Sequence, residues 1–193
     1  TRLNVYAGPA GFYLLRGGVS DKVGGILPGP APARGDLPGK KYYEIPIAIQ
    51  DRSFNTDGSL FFPSDRAFFE GLTPDQLRIP FIPDQACNGP SDVSPIYNSE
   101  FFGNTMVVNG KTWPILQVEQ RRYRFRLLNG CNARTLMLKM DNAMPFYQIG
   151  AEQGFLPAPI QLDTLQISLA ELAYVIMDFT NIPVGTQLTK LNI

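Results

Sequence analysis

The segment TMVVNGKTWPILQVEQRRYRFRLLNGCN, residues 105–132, constrains the fold of this chain more than any other stretch. Asn109-Gly110 is the preferred pair for a type I′ turn, because both residues tolerate a positive φ. Ile115, Leu116 and Val118 are expected to continue a strand after the turn. The run RRYRFRLL then alternates charged with apolar side chains. The segment therefore predicts a β-hairpin that leads into a third strand.

Short apolar runs of strand length recur along the rest of the chain. They lie at Phe12–Arg16, Tyr43–Gln50, Leu136–Met140, Phe146–Ile149, Leu165–Leu169, Tyr174–Phe179 and Gln187–Ile193, and Asp57-Gly58 indicates a second hairpin turn. Pro46 places the Tyr43–Gln50 strand at a sheet edge, or at a position whose N–H is not needed. Together these segments predict about eight to ten short strands, as in a β-sandwich or Greek-key barrel.

Three stretches between the strands have a different character. Gly17–Lys41 is rich in glycine and proline without periodicity, which predicts an exposed linker. Ser64–Gly71 predicts one or two helical turns with Ser64 as the N-cap. Thr73–Ser99 is proline-rich and predicts an irregular surface loop.

The composition excludes several classes of function. Lys plus Arg and Asp plus Glu both number 17, and this zero net charge predicts neither a nucleic-acid partner nor an anionic membrane surface. No apolar run is long enough to span a bilayer. The chain opens on Thr1 rather than Met, so we expect a processed or truncated piece. It contains no histidine, which removes the usual general base near neutral pH and the commonest transition-metal ligand.

The two sulfur-containing residue types indicate packing rather than metal binding. Cys87 and Cys131 form neither a metal pattern nor a disulfide framework. Their spacing permits a bridge, and the alternative is two separate buried or free thiols. The methionines are spaced as strand residues that fill a core, at Met106, Met137, Met140, Met144 and Met177.

Four arginines, Arg121, Arg122, Arg124 and Arg126, are the main candidates for a phosphate-binding face. The neutral net charge favours instead the solvent face of an amphipathic strand, with the arginine stems covering apolar neighbours. A third alternative is that at least one of them pairs with a carboxylate across an interface.

No catalytic set is predicted. Asp51, Arg52 and Asp57 resemble the charged residues of turns more than an acid–base pair. GGVSDKVGG is not followed by a helix and is not a phosphate loop, and Trp113-Pro114 is interpreted as a packing anchor. Three serines have no histidine partner, namely Ser53, Ser59 and Ser168. We therefore assign no catalytic, cofactor-binding or metal-binding residue.

Four stretches together resemble three-domain bacterial multicopper oxidases of the spore-coat laccase and bilirubin oxidase type. They are TRLNVYAGPAGFYLL, IPIAIQDRSFNTDGSLFFP, EFFGNTMVVNGKTWPILQVEQRRYRFRLLNGCNARTLML and FYQIGAEQGFL. The resemblance implies an all-β, cupredoxin-like Greek-key sandwich or barrel with a long N-terminal arm. Residues 1–16 resemble the end of the first cupredoxin domain, 17–41 a linker, and 42–193 the central domain.

The resemblance also implies a function. Copper in this family is bound by residues of the first and third domains, so we expect none in this chain and copper only in the parent enzyme. Cys131 lacks the His-Cys-His surroundings of the family's copper cysteine. The parent enzyme would oxidise phenolic or similar donors by single electrons and reduce dioxygen to water. The expected role here is architectural, and the chain alone is expected to be inactive.

The expected partners are the missing first and third domains. Self-association is also expected, through an apolar surface that includes Phe12, Tyr13 and Leu14. An extracytoplasmic, secreted or spore-coat location would fit the family. Leu172 and Glu152-Gln153 depart from the family pattern, which puts a family interdomain contact in doubt.

The alternative to an oxidase domain is a stand-alone binding or structural sandwich. Its binding surface would then be formed by exposed aromatic residues, such as Trp113, Tyr97 and Phe101.

Overall fold

The computed structural model describes residues 2–14, 27–62, 73, 100–152 and 154–193. These residues form one short helix, α1 (Arg2–Ala7), and ten strands, in agreement with the predicted all-β architecture. The strands are β1 (Glu44–Arg52), β2 (Thr105–Val108), β3 (Lys111–Thr112), β4 (Arg122–Asn129), β5 (Leu136–Met140), β6 (Phe146–Ala151), β7 (Gly154–Leu162), β8 (Leu165–Ile167), β9 (Leu172–Asp178) and β10 (Lys190–Asn192).

The strands form two sheets that share one core. The larger sheet has the order β3-β2-β1-β4-β9-β6-β7, and the smaller has the order β10-β5-β8. Alternation in β4 directs Phe125 and Leu127 into the core, where they join Val175 of β9 and, from the smaller sheet, Leu136 and Ile167. Each such side chain contributes about 1.5–3 kcal/mol through its burial. The core also contains three of the predicted methionines, Met140, Met144 and Met177, whereas Met137 is exposed.

Strand β1 lies inside the larger sheet, so the edge position predicted from Pro46 is wrong. It pairs in parallel with β4, and on its other side in antiparallel fashion with β2, but only from Ile49 onward. Pro46 therefore lies beyond the end of β2, where no strand needs its N–H, as the alternative prediction held. The side chain of Asn109 covers this end of β1: it donates to the Pro46 carbonyl (2.9 Å) and accepts from the Ala48 N–H (2.8 Å).

The hairpin is formed as predicted, but its second strand is short. Asn109 and Gly110 have φ of 48° and 79°, which is the type I′ combination. The second strand, β3, ends at Thr112, and Trp113 also adopts a positive φ of 41°. The predicted continuation through Ile115, Leu116 and Val118 is therefore wrong. The second predicted turn is also present, since Gly58 has φ 84° and Phe54 bridges Leu60.

One predicted strand is not formed over its described residues, and one strand of the structure was not predicted. The Phe12–Arg16 strand is absent over its described part, Phe12–Leu14, and the preceding residues form α1. Strand β7 was missed because Pro157 and Pro159 interrupt its apolar pattern. It lies at the edge of the sheet, where proline is tolerated.

Several predictions fall outside the described residues. They are the helix at 64–71, most of the 73–99 loop, the first part of the 17–41 linker, and the positions of Cys87 and Tyr97. Residues 27–41, the described part of the 17–41 stretch, contain no strand or helix.

Gly103 is required where the loop before β2 crosses the end of β1. A Cβ on Gly103 would lie 2.4 Å from the backbone nitrogen of Arg52. Gly103→Ala is therefore expected to lower the free energy of unfolding by about 2–3 kcal/mol, because neither backbone can move without breaking the sheet. Urea unfolding measures this, with Gly154→Ala as the control, since a Cβ there meets nothing within 4 Å. Equal effects of the two substitutions would contradict the close approach.

Candidate functional site: buried polar networks on strand β1

Within the described ranges, no group of three or more His, Cys, Asp or Glu side chains is placed to hold a metal ion. Cys131 is a free, buried thiol. Burial and the nearby Asp51 raise the pKa of this thiol to about 12, so it stays protonated at neutral pH. A protonated thiol is a poor metal ligand and a poor nucleophile.

Arg124 and Arg126 are buried, which corrects the prediction of a solvent-facing arginine ladder. Parallel pairing of β1 with β4 places Glu44, only 1% exposed, opposite Arg124. Glu44 Oε2 accepts a hydrogen bond from Arg124 Nη2, and Glu44 Oε1 accepts one from Arg126 Nε at 2.6 Å. Arg126 also lies 4.4 Å from the centre of the Tyr174 ring. The carboxylate-pairing alternative describes these two arginines, although the partner lies in the same sheet.

The other two arginines remain at the surface. Arg122 Nε donates to Asp178 Oδ2 at 2.7 Å, and this bond, with one from Thr180, lowers the pKa of Asp178 to about 2. Arg121 lies 3.4 Å from the centre of the Tyr43 ring. The four guanidinium groups therefore do not share one face, and a phosphate-binding surface is not formed.

An open groove of about 900 Å³ adjoins the Arg122–Asp178 pair. Its walls include Tyr147, Ile149 and Ile176. Within this lining the Thr180 hydroxyl donates to Asp178 Oδ1 at 2.5 Å. Asp178 also accepts a hydrogen bond from Arg122 and its pKa is about 2, so this carboxylate is too weak a base to activate the hydroxyl.

Asp51 and Arg52 complete strand β1 and do not form a turn, so that interpretation was wrong. The fully buried Asp51 carboxylate accepts hydrogen bonds from the backbone N–H of Gly103 (2.8 Å) and of Asn132 (3.1 Å), and from Arg134 Nε (3.4 Å). One side chain thus joins β1 to the loop before β2 and to the β4–β5 connection. Sequence reasoning missed this network because its partners lie 52 to 83 residues away.

The three candidate serines have ordinary structural roles. Ser53 Oγ donates to Asn104 Oδ1 at 3.2 Å, and Ser59 Oγ donates to Asp57 Oδ1 at 2.7 Å within the exposed turn. The Ser168 N–H donates to Glu171 at 2.6 Å. The hydrogen bonds from Ser59 lower the pKa of Asp57, so this exposed carboxylate is a weak base for the Ser59 hydroxyl.

A run of exposed apolar residues follows the hairpin. Trp113 is 69% exposed and Ile115 is 82% exposed, and Leu116 and Val118 are also exposed. The prediction that Trp113 is a packing anchor is therefore wrong for the described residues, because most of its side chain is exposed. Phe101, in contrast, is buried and belongs to no exposed aromatic surface.

Glu152 and Leu172, two of the positions that depart from the family pattern, are in contact in the structure. Glu152 Oε1 accepts a hydrogen bond from the Leu172 N–H at 2.5 Å. Glu152 therefore joins the β6–β7 turn to the start of β9 within this sandwich.

Lys190, at the start of β10, is half-buried, and burial lowers the pKa of its ammonium group to about 8. In the unfolded chain the pKa of this lysine is near 10.5. Burying the charged ammonium group therefore lowers the free energy of unfolding below pH 8, and this loss of stability disappears as the pH rises from about 8 to above 10.5.

Lys190→Met is expected to stabilise the fold at pH 7 by about 1–2 kcal/mol, discounting for partial exposure. Urea unfolding at pH 7 and pH 10.5 measures this gain, which should shrink at the higher pH. Lys111→Met, at an exposed hairpin position, is the control, and a pH-independent gain at Lys190 would contradict the account.

The chain is similar to known proteins over most of its length and not at one site alone. The chain is 42% identical over 182 residues to a laccase from Bacillus stratosphericus and 39% identical over 180 residues to a laccase from Bacillus subtilis (strain 168). Each match covers 93% of this chain and 29% of the relative. The crystal structure of the McoA multicopper oxidase from Aquifex aeolicus superposes with a TM-score of 0.55 at 27% identity, over 74% of this chain and 25% of that one. This chain belongs to the multicopper oxidase family.

Membership of the multicopper oxidases confirms the predicted cupredoxin-like fold class. No protein-family model matches the sequence. The chain spans less than a third of the length of the laccases that it matches. No helix in the described part of the chain is long and apolar enough to cross a membrane.

Proposed function

We propose that this chain is a copper-free, architectural section of a laccase-type multicopper oxidase, corresponding to the end of the first cupredoxin domain (1–16), a linker (17–41) and the central domain (42–193). One observation carries the proposal: a chain 42% identical to a laccase over 93% of its length contains no histidine. Copper sites in proteins rely on imidazole and thiolate. Among the described residues the one thiol, Cys131, is buried and protonated, and no group of three or more Cys, Asp or Glu side chains is placed to hold a metal ion.

The oxidase reaction is proposed for the parent enzyme and not for this chain. It is the one-electron oxidation of phenolic or similar donors, coupled to reduction of dioxygen to water. The contribution of this section would be to hold other domains in register, since metal and substrate sites need a rigid support even where that support supplies no ligand. The Glu44 and Asp51 networks favour this role, because Glu44 fixes β4 to strand β1 and Asp51 fixes the loop before β2 and the β4–β5 connection to it.

The proposed partners are the first and third cupredoxin domains of the same oxidase. The exposed apolar run from Trp113 to Val118 favours this, since an adjoining domain would remove it from water. Self-association through the same kind of surface is the outcome proposed for the chain when those domains are absent.

A hybrid oxidase tests the architectural role. The chain would replace the homologous 182-residue section of the Bacillus stratosphericus laccase, with the unmodified laccase and a version lacking this section as controls. We expect the hybrid to bind copper and oxidise a laccase dye, and the version without the section to do neither. A soluble, folded hybrid that binds no copper would contradict the proposal.

The exposed Trp113 favours a second candidate, a stand-alone sandwich that binds sugars or peptides through this side chain. The chain has one tryptophan, so its fluorescence reports on this position alone. A saturable change on addition of an oligosaccharide or peptide would support this candidate, and an unchanged spectrum would count against it.

A further inference from the structure

Helix α1 needs support from the rest of the protein. It has six residues, and isolated helices shorter than about 12–15 residues are marginal in water. The residues after it, Gly8–Leu14, form neither strand nor helix and are exposed or half-buried. The position of α1 is therefore determined by the contacts of its own residues.

Tyr6 of α1 is buried, with an exposed fraction of only 3%, whereas Asn4, Val5 and Ala7 are exposed. Its hydroxyl oxygen accepts a hydrogen bond from the Ser53 N–H at 2.8 Å and donates one to the Phe61 carbonyl at 2.6 Å. Its ring packs against Phe62 and Phe101, with ring centres 5.1 and 5.3 Å away. The phenol thus satisfies two backbone groups that would otherwise lose a partner on burial.

Arg52 provides a second attachment at the same place. Its guanidinium lies 4.9 Å from the centre of the Tyr6 ring, and Nη2 donates to the Val5 carbonyl at 3.2 Å. Arg52 Nη1 donates to the Asp51 carbonyl at 2.8 Å, so the side chain is fixed to the end of β1. The Val5 carbonyl is one of the last in α1, where a cation is favoured.

The residues that receive Tyr6 form a socket, defined here as Arg52, Ser53, Phe61, Phe62 and Phe101. They come from three separate places: the end of β1, the segment after the Asp57-Gly58 turn, and the loop before β2. The buried end of the socket combines an apolar aromatic wall with one backbone donor, the Ser53 N–H, and two backbone acceptors, the carbonyls of Phe61 (2.6 Å) and Ser53 (3.2 Å). A tyrosine matches this chemistry, because only its phenol supplies an acceptor and a donor at the tip of an aromatic ring.

We infer that this socket is a docking surface for the polypeptide that precedes the sandwich, with Tyr6 as its anchor, and that it fixes where that polypeptide enters. In an oxidase of laccase length the preceding polypeptide would be the first cupredoxin domain, and this part of the inference rests on the proposed function. Tyr6 is then a positioning residue at the joint between the two domains.

Hydrogen exchange on the isolated chain tests the anchor. Tyr6→Phe keeps the ring and removes the hydroxyl, so we expect the Ser53 amide to exchange at least about tenfold faster, while β4 amides such as Leu127 keep their protection. Tyr6→Ala also removes the ring and is expected to abolish protection of the α1 and Gly8 amides. Tyr13→Phe and Tyr13→Ala are the matched controls, because Tyr13 lies in the same segment and is 91% exposed.

Two outcomes would overturn the anchor. One is unchanged exchange at Ser53 and α1 in both Tyr6 variants. The other is an equal effect of the Tyr13 variants. If Tyr6→Ala destabilises the whole sandwich, Tyr6→Phe with the Leu127 amide as internal reference still decides the question.

The hybrid laccase tests the joint. In the hybrid, Tyr6→Phe is expected to speed exchange of the Ser53 amide and proteolysis within Arg2–Leu14 by at least about fivefold, and Tyr13→Phe to leave both unchanged. An unmodified hybrid that binds copper, combined with no effect of Tyr6→Phe on either rate, would overturn the joint and leave the proposed function standing. A hybrid that folds without binding copper would instead count against the proposed function, and the exchange result on the isolated chain would still decide the anchor.

Discussion

Replacing Glu44 by glutamine is expected to lower the free energy of unfolding by about 3–5 kcal/mol, the largest effect of any substitution proposed for this chain. Glu44 is 1% exposed, and its two carboxylate oxygens accept separate hydrogen bonds from Arg124 and Arg126. Glutamine keeps the volume but removes the negative charge from beside two buried guanidinium groups. The cost is large because it leaves excess positive charge in a region shielded from water.

Asp178→Asn is the matched control for Glu44→Gln. Asp178 also accepts a hydrogen bond from a β4 arginine, Arg122, but that arginine side chain is 71% exposed. Surface ion pairs contribute about 0–1 kcal/mol, so Asp178→Asn is expected to be nearly neutral. Urea unfolding of the two variants at pH 7 measures the difference. Similar losses in both would show that the buried network does not stabilise the sheet.

Asp51→Asn is expected to cost about 3 kcal/mol, because it breaks a buried network of hydrogen bonds to a charged group. The carboxylate accepts from two backbone N–H groups and from Arg134. Asparagine offers one acceptor oxygen and places an NH₂ group against the remaining donors. We expect the loop before β2 and the β4–β5 connection to lose protection from hydrogen exchange together, since the same side chain holds both.

The turn residue Asp57 provides the comparison for Asp51. It accepts hydrogen bonds from the Ser59 N–H (2.9 Å) and the Ser59 hydroxyl (2.7 Å), but in an exposed turn. Asp57→Asn is therefore expected to change the free energy of unfolding by less than about 1 kcal/mol. If Asp57→Asn lowers the free energy of unfolding as much as Asp51→Asn does, or more, Asp51 does not hold the three segments together.

Local patterns were sufficient to predict the hairpin and the apolar core. Asn109-Gly110 specifies its turn through backbone conformation alone, and the alternation of Tyr123, Phe125 and Leu127 identifies the core face of β4. Both signals are contained within a few residues. The same reasoning predicted the strands at 136–140 and 172–178 within one or two residues.

The polar side of the sheet could not be predicted in the same way. Alternation shows that Arg124 and Arg126 face away from the core, but not that this face is covered. Only the parallel pairing of β1 with β4, across 80 residues of sequence, brings Glu44 to Arg124. The Asp51 network likewise depends on contacts far along the chain.

Helix α1 shows the same limitation. Its sequence carries little helical signal, and its position depends on the distant Ser53 and Phe61. The apolar run at 113–118 shows the opposite error. Its apolar residues predict a strand, but the strand ends at Thr112 and these residues are exposed. Contact with a further domain would explain such a pattern.

The copper content of the purified chain is the decisive measurement of whether this section of the oxidase is copper-free. The chain would be loaded with Cu(II), desalted, and analysed for bound metal, with a laccase dye assay on the same sample. We expect no stoichiometric copper and no turnover, because the chain has no histidine and its one described cysteine is buried and protonated. Stoichiometric copper with turnover would contradict this expectation, and would place a copper site among the cysteines, methionines and carboxylates of this chain.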